Sequence, residues 1–260
     1  MAHESRGAIA AILAAAVAAA SIAQAEPANP GYPAMAPIAD YRMTSRADEI
    51  ALARSAAPPS VAADAEVMVL GERAYETTAP GKNGFVCLVQ RAWASGLDDA
   101  EFWNPKERTP ICFNPAAVRS VLPAYLERTR WVLAGATKSE ISARTRAAVA
   151  AGRYAAPEIG AMSYMLSRQG YLSDDAGGPW HPHLMFFLPS AAAAPAAWGA
   201  NLPGSPVLGA SGSAVEPVTT FFIPVRKWSD GTPDADPSPA VHAMTMAAPP
   251  APAHAPKQPQ

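Results

Sequence analysis

The stretch Asn114 to Gly152, NPAAVRSVLPAYLERTRWVLAGATKSEISARTRAAVAAG, decides the fold class. Asn114 followed by Pro115 is a helix cap with proline at the first helical position, where a missing N–H costs nothing. Pro123 must break or kink the helix so opened. Beyond it, Tyr125, Leu126, Thr129, Val132 and Leu133 carry a buried stripe at helical spacing until Gly135 stops it. Thr137 with Glu140 is a capping box for a further helix, which ends near Gly152.

Outward from this block the pattern changes. On the N-terminal side, Ser45 to Ala57 reads as a first helix, with Ser45 and Asp48 approximating a capping box and Pro58-Pro59 ending it. Glu66 to Leu70, Tyr75 to Thr78 and Phe85 to Gln90 read as three strands of a meander, the last two separated by the turn-rich Pro80-Gly81-Lys82-Asn83-Gly84. On the C-terminal side, Ala161 to Ser167, His183 to Leu188 and Val218 to Val225 are short apolar and aromatic runs. Pro224 pushes the last of them toward an edge or a bulge. Strands at both ends with helices between predict an α+β domain, with a largely antiparallel sheet and a central group of helices. It spans residues 44 to 228, one domain by length.

The flanks read differently. Arg6, the uncharged run Gly7 to Ala20, and small residues at Ala23 and Ala25 follow the order of a cleavable signal peptide over residues 1–25, with the mature chain starting at Glu26. The run is too short and too alanine-rich for a spanning helix, which needs about 20 strongly apolar residues. No stable membrane insertion is expected. Residues 26–43 hold Pro27, Pro30, Pro33 and Pro37 and read as an extended arm. Residues 229–260, rich in proline and alanine, bury too little to offset their ordering entropy and read as a disordered tail. The net charge of the 260-residue chain is −2, and removing residues 1–25 takes away one base and one acid. A near-neutral mixture without a basic stripe argues against a nucleic-acid partner. Both cysteines, Cys87 and Cys112, lie in the mature part. In an oxidising compartment an isolated pair most simply forms a disulfide, worth about 3 kcal/mol by chain entropy. There is no C-x-x-C spacing to suggest redox or metal work.

Three places carry residues suited to chemistry. In Trp180-His181-Pro182-His183 two imidazoles lie two residues apart on an extended backbone and share a face, so a divalent metal could use both. No third ligand is recognisable unless Asp174 and Asp175 fold back, and a pair of strand-opening histidines bonded to backbone is the plainer reading. In the loop between the cysteines, Trp93, Asp98, Asp99, Glu101, Phe102 and Trp103 combine rings with carboxylates, as a glycan or cationic peptide site does. Two such acids could act as acid and base on a sugar. The competing reading makes the acids turn residues and the rings core. His242, Met244 and Met246 in the tail have the soft donors for Cu(I), but composition accounts for one short copy. Gly209-Ala210-Ser211-Gly212-Ser213 breaks the G-x-S-x-G pattern at its last position. The remaining glycines lack the lysine of a phosphate loop.

The runs Asn83 to Val89, Phe102 to Pro105, Ile111 to Pro115 and Trp180 to Phe186 resemble those of a family of exported bacterial proteins with no assigned function. The resemblance covers most of residues 45 to 230 and implies one domain, but no activity, cofactor or catalytic residue. The expectation is therefore a soluble periplasmic or secreted protein, a non-catalytic binding module for a glycan or peptide, with no cofactor. The rivals are a metal-dependent enzyme or metal-binding protein using His181 and His183, and a glycan-active hydrolase using the acids of the Trp93 to Trp103 loop.

Overall fold

The computed structural model describes residues 31–173, 181–190, 195–210 and 215–235. Residues 1–25, read above as a signal peptide, the start of the arm, the stretch beyond Ala235, and with them Asp174, Asp175, Trp180, Ser211 to Ser213 and the His242 to Met246 group lie outside the described residues.

Eight strands form one sheet in the order β2-β1-β3-β4-β5-β6-β8-β7. They are β1 (Glu66–Leu70), β2 (Tyr75–Ala79), β3 (Val86–Gln90), β4 (Thr109–Phe113), β5 (Met162–Met165), β6 (His183–Pro189), β7 (Leu208–Ala210) and β8 (Val218–Pro224). All neighbours pair antiparallel except β1 and β3, which are parallel. This is the expected α+β class with a largely antiparallel sheet. The first three strands, however, are not a meander. After β2 the chain passes the start of β1 and enters on its other side. The crossing is tight: a Cβ on Gly81 would lie 2.3 Å from the Glu66 nitrogen, so glycine is required there. Lys82 N–H donates to Asp64 O at 2.7 Å and Glu66 N–H to Phe85 O at 2.9 Å, which holds the crossing in place.

Two strands carry no alternation that marks them in the sequence. β4 is buried along its whole length and contains Pro110. It is tolerated because Pro110 turns its missing donor to the side on which Arg108 bonds Tyr171, at a level β5 does not reach. Pro224 is likewise accommodated at the end of an interior strand, β8, beyond the last β7 partner at Phe222. It marks neither an edge nor a bulge. The edge is β7, where Gly209 exchanges two bonds with the side chain of Asn201: Gly209 N–H to Oδ1 at 3.1 Å and Nδ2 to Gly209 O at 3.2 Å. Asn201 itself has φ of +61°, a left-handed conformation asparagine tolerates.

Helices cover both faces. α1 (Ile38–Tyr41), α2 (Arg46–Arg54) and α3 (Pro59–Ala62) precede the sheet. The arm is thus not wholly extended: a helical turn follows Pro37, its N-cap, and Tyr41 is fully buried, donating to Trp103 O at 2.8 Å. The helix opened at Ser45, whose Oγ accepts from Asp48 N–H, stops at Arg54, and Pro59 starts α3 rather than ending α2. α2 and α3 pack Leu52, Ala53, Ala56 and Ala62 on Val67, Cys87, Val89 and Cys112. The other face, Leu88, Ile111, Phe113, Met165 and Phe187, meets α4 (Pro115–Ser120), α5 (Leu122–Leu133) and α6 (Lys138–Ala150). The break at Val121 places Pro123 in the first turn of α5, and the Thr137–Glu140 capping box is complete. Cys87 and Cys112 sit opposite each other on β3 and β4 and form the disulfide beneath α2. No helix among the described residues is long and apolar enough to cross a membrane.

Candidate functional site

His183 opens β6 and points into the interior, 2 % exposed. Its Nδ1 lies 2.8 Å from the carbonyl oxygen of His181. A carbonyl can only accept, so Nδ1 carries the proton. Burial pushes the pKa of His183 down to about 4, so the ring is neutral at ordinary pH. The His181 ring turns instead to the segment after β8, its Nδ1 2.7 Å from Asp234 Oδ2. Asp234 N–H donates to Arg226 O, and Lys227 bridges Pro233. Residues 229–235, assigned to the tail from sequence, therefore belong to the folded part. Among the described residues no group of three His, Cys, Asp or Glu side chains is placed to share a metal ion.

The loop between the cysteines contributes core. Trp93 (0 % exposed), Phe102 and Trp103 are buried. Trp93 Nε1–H donates to Thr129 Oγ1 at 3.0 Å and its ring lies against Tyr41. These rings have no exposed face to stack on a ligand, in keeping with the reading that makes them core rather than the one that makes them a ligand site. Asp98 is exposed. Asp99 accepts from Glu101 N–H at 2.8 Å, and Glu101 accepts from Asn104 Nδ2 at 2.6 Å, both bonds that shape the turn. A tryptophan that does reach solvent is Trp198, 45 % exposed and stacked on Phe221.

Ionisable groups in the interior went unnoticed in the sequence, among them Glu107, Arg91 and Glu49. Glu107 is buried beside Asp99 and Glu101, with one carboxyl oxygen unpartnered, and burial followed by those two charges raises its pKa well above the carboxylate range. Arg91 is buried with Glu49, Nη2 to Oε1 at 2.8 Å, and its Nε donates to Tyr41 O at 2.6 Å. Glu49 Oε1 also accepts from Leu70 N–H at 3.1 Å. Tyr125 accepts from Arg91 N–H, and Tyr75 donates to Val89 O at 2.6 Å. With 0 and 3 % side-chain exposure this ion pair has no face open to a ligand. It fastens α2 to the end of β3.

An open pocket of about 320 Å³ lies where α2 and α3 meet the turn after β8. Ala51, Ala57, Pro59, Ala62 and Ala63 give it an apolar surface, and Arg54, Ser55, Ser229 and Asp230 supply the polar groups. Ser55 Oγ donates to Leu52 O at 2.6 Å and lies 2.6 Å from Ser167 Oγ, so its proton is committed to a carbonyl rather than to a base. None of the residues proposed from sequence lines this pocket. Nothing in the sequence could have marked it, because its walls come from opposite ends of the domain. No family model, no curated protein and no solved structure matches the chain.

Proposed function

We propose that the chain is an exported protein, periplasmic or secreted, whose domain is a non-catalytic binding module. The observation that carries the binding reading is the open pocket: an apolar surface, charged groups at its wall, and a hydroxyl, Ser55, bonded to a carbonyl instead of a general base. The leader-like residues 1–25 and the buried Cys87–Cys112 bridge support export, since such bonds persist in oxidising compartments. The test is expression with the native leader in a bacterial host, followed by intact and native mass spectrometry of the exported material. A chain starting at Glu26 that carries, or takes up, a small-molecule adduct is the expected result. Retention of residues 1–25 in the membrane fraction would defeat the export reading, and turnover of a ligand would defeat the non-catalytic one.

A second reading, metal binding at His181, has one observation in its favour. Asp234 accepts from Nδ1, the arrangement that fixes the tautomer and ring orientation of a ligating histidine. Calorimetric titration with zinc and with copper at two pH values tests it. Stoichiometric binding that weakens as pH falls and disappears in His181→Ala would establish it.

A further inference from the structure

We propose that the pocket between α2, α3 and the Ser229-Asp230 turn takes a small organic carboxylate, held by the Arg54 guanidinium, with its apolar part on the alanine surface. The inference rests on the binding-module reading and names the ligand class of that site.

The argument starts from Arg54, in the last turn of α2. It is partly buried, its Nε is shut off from solvent with no hydrogen-bond partner, and no carboxylate of the described residues lies within ion-pair distance. A guanidinium presents its donors in a rigid fork that matches a carboxylate, and a buried donor left unfilled is costly. The other charged group in the pocket is already answered. Asp230 Oδ1 accepts from Thr232 N–H at 2.9 Å and from the Thr232 hydroxyl, and Arg168 lies near enough to help hold the carboxyl below its ordinary pKa. Asp230 thus has its hydrogen bonds filled although no ion pair engages it, and Arg54 is the charged group of the wall that keeps a buried donor open.

The carbonyls that end α2 are engaged: Ala51 O and Leu52 O accept from Ser55 N–H, Ala53 O from Ala56 N–H and Arg54 O from Ala57 N–H. The apolar lining of Ala51, Ala57, Ala62 and Ala63 favours a ligand with a short hydrocarbon body over a fully hydrated inorganic anion. The volume suits a ligand of a few carbons at the low end of small-molecule sites.

The experiment is calorimetric or NMR titration of the full domain with butyrate, butyramide and inorganic phosphate, using wild type, Arg54→Gln and Ala51→Leu. Both positions can be changed without opening the core, since Ala51 is exposed and the Arg54 side chain bonds none of the described residues. Butyrate should bind; butyramide and the Arg54→Gln variant should each weaken binding about 10- to 100-fold. Ala51→Leu, which narrows the mouth and keeps the charge, should weaken butyrate while leaving the fold intact by circular dichroism. Equal binding of butyrate and butyramide, phosphate binding more tightly than butyrate, butyrate binding unaffected by either substitution, or no binding of any probe would each overturn the assignment. None of these outcomes counts against the non-catalytic module itself, which falls only if a ligand is turned over, and an adduct that titrates elsewhere would leave that module standing without this site.

Discussion

Glu49 and Arg91 show what a charge costs inside this protein. The pair is nearly solvent-free, and each member is also bonded to backbone. Removing one partner strands the other, which costs about 3–5 kcal/mol, whereas an apolar pair of similar volume can be neutral. Glu49→Ala should therefore lower the unfolding free energy by that amount in urea titration, and Glu49→Leu with Arg91→Met should recover much of it. A single variant within 1 kcal/mol of wild type would show that the pair is not holding α2 to the sheet. His183 gives a pH signature. The unfolded ring takes up a proton near pH 6.5, whereas in the folded protein burial lowers the pKa to about 4. Between those values the unfolded chain binds the extra proton, so stabilisation is complete above 6.5 and falls by about 3 kcal/mol as pH drops to 4. Comparing wild type with His183→Asn at pH 7, 5.5 and 4 isolates this share, and parallel pH profiles would refute it. Neither Glu107 nor Arg54 could be picked from the sequence. A single acid between Lys106 and Arg108, or an arginine ending a helix, looks like solvated surface until the chain is folded around it.

At the scale of elements, the disulfide bridges two neighbouring strands at a directly opposed pair, Cys87 and Cys112. Its loop-closure contribution of about 3 kcal/mol should appear as the difference in urea stability between oxidised and reduced protein. A difference below 1 kcal/mol would mean that the sheet alone keeps β3 and β4 together. The helices were the most legible part of the chain, because Asn114, Gly135, Thr137, Glu140 and Gly152 act through bonds made within a few residues. Strand order was not legible. Periodicity marks β1, β2 and β3 one by one but says nothing of which side of β1 receives β3, a choice made by the close approach of Gly81 to Glu66. β4 was hidden by Pro110, and β7 by its brevity and its glycine.

On the scale of the whole molecule, the folded part ends later than composition suggests. His181, Arg168 and Trp228 hold Thr232 and Asp234 through side-chain and backbone bonds. A chain cut after Ala235 should melt as the longer one does. A cut after Gly231, which removes those contacts, should cost on the order of 2 kcal/mol. Equal melting of the two would show that the turn contributes nothing.

The sheet has to stop somewhere, and on the β7 side a single amide stops it. By answering both polar groups of Gly209, the Asn201 side chain plays the part of a ninth strand one residue long. Replacing it with alanine would leave a donor and an acceptor facing outward at the spacing another chain's edge can match. The expected outcome for Asn201→Ala is a monomer that unfolds almost as before yet loses solubility with concentration and time, forming thioflavin-positive assemblies in light-scattering and dye assays. If it stays monodisperse at millimolar concentration, the neighbouring loop shields the edge without help. Otherwise, one asparagine separates a finished sheet from a polymer.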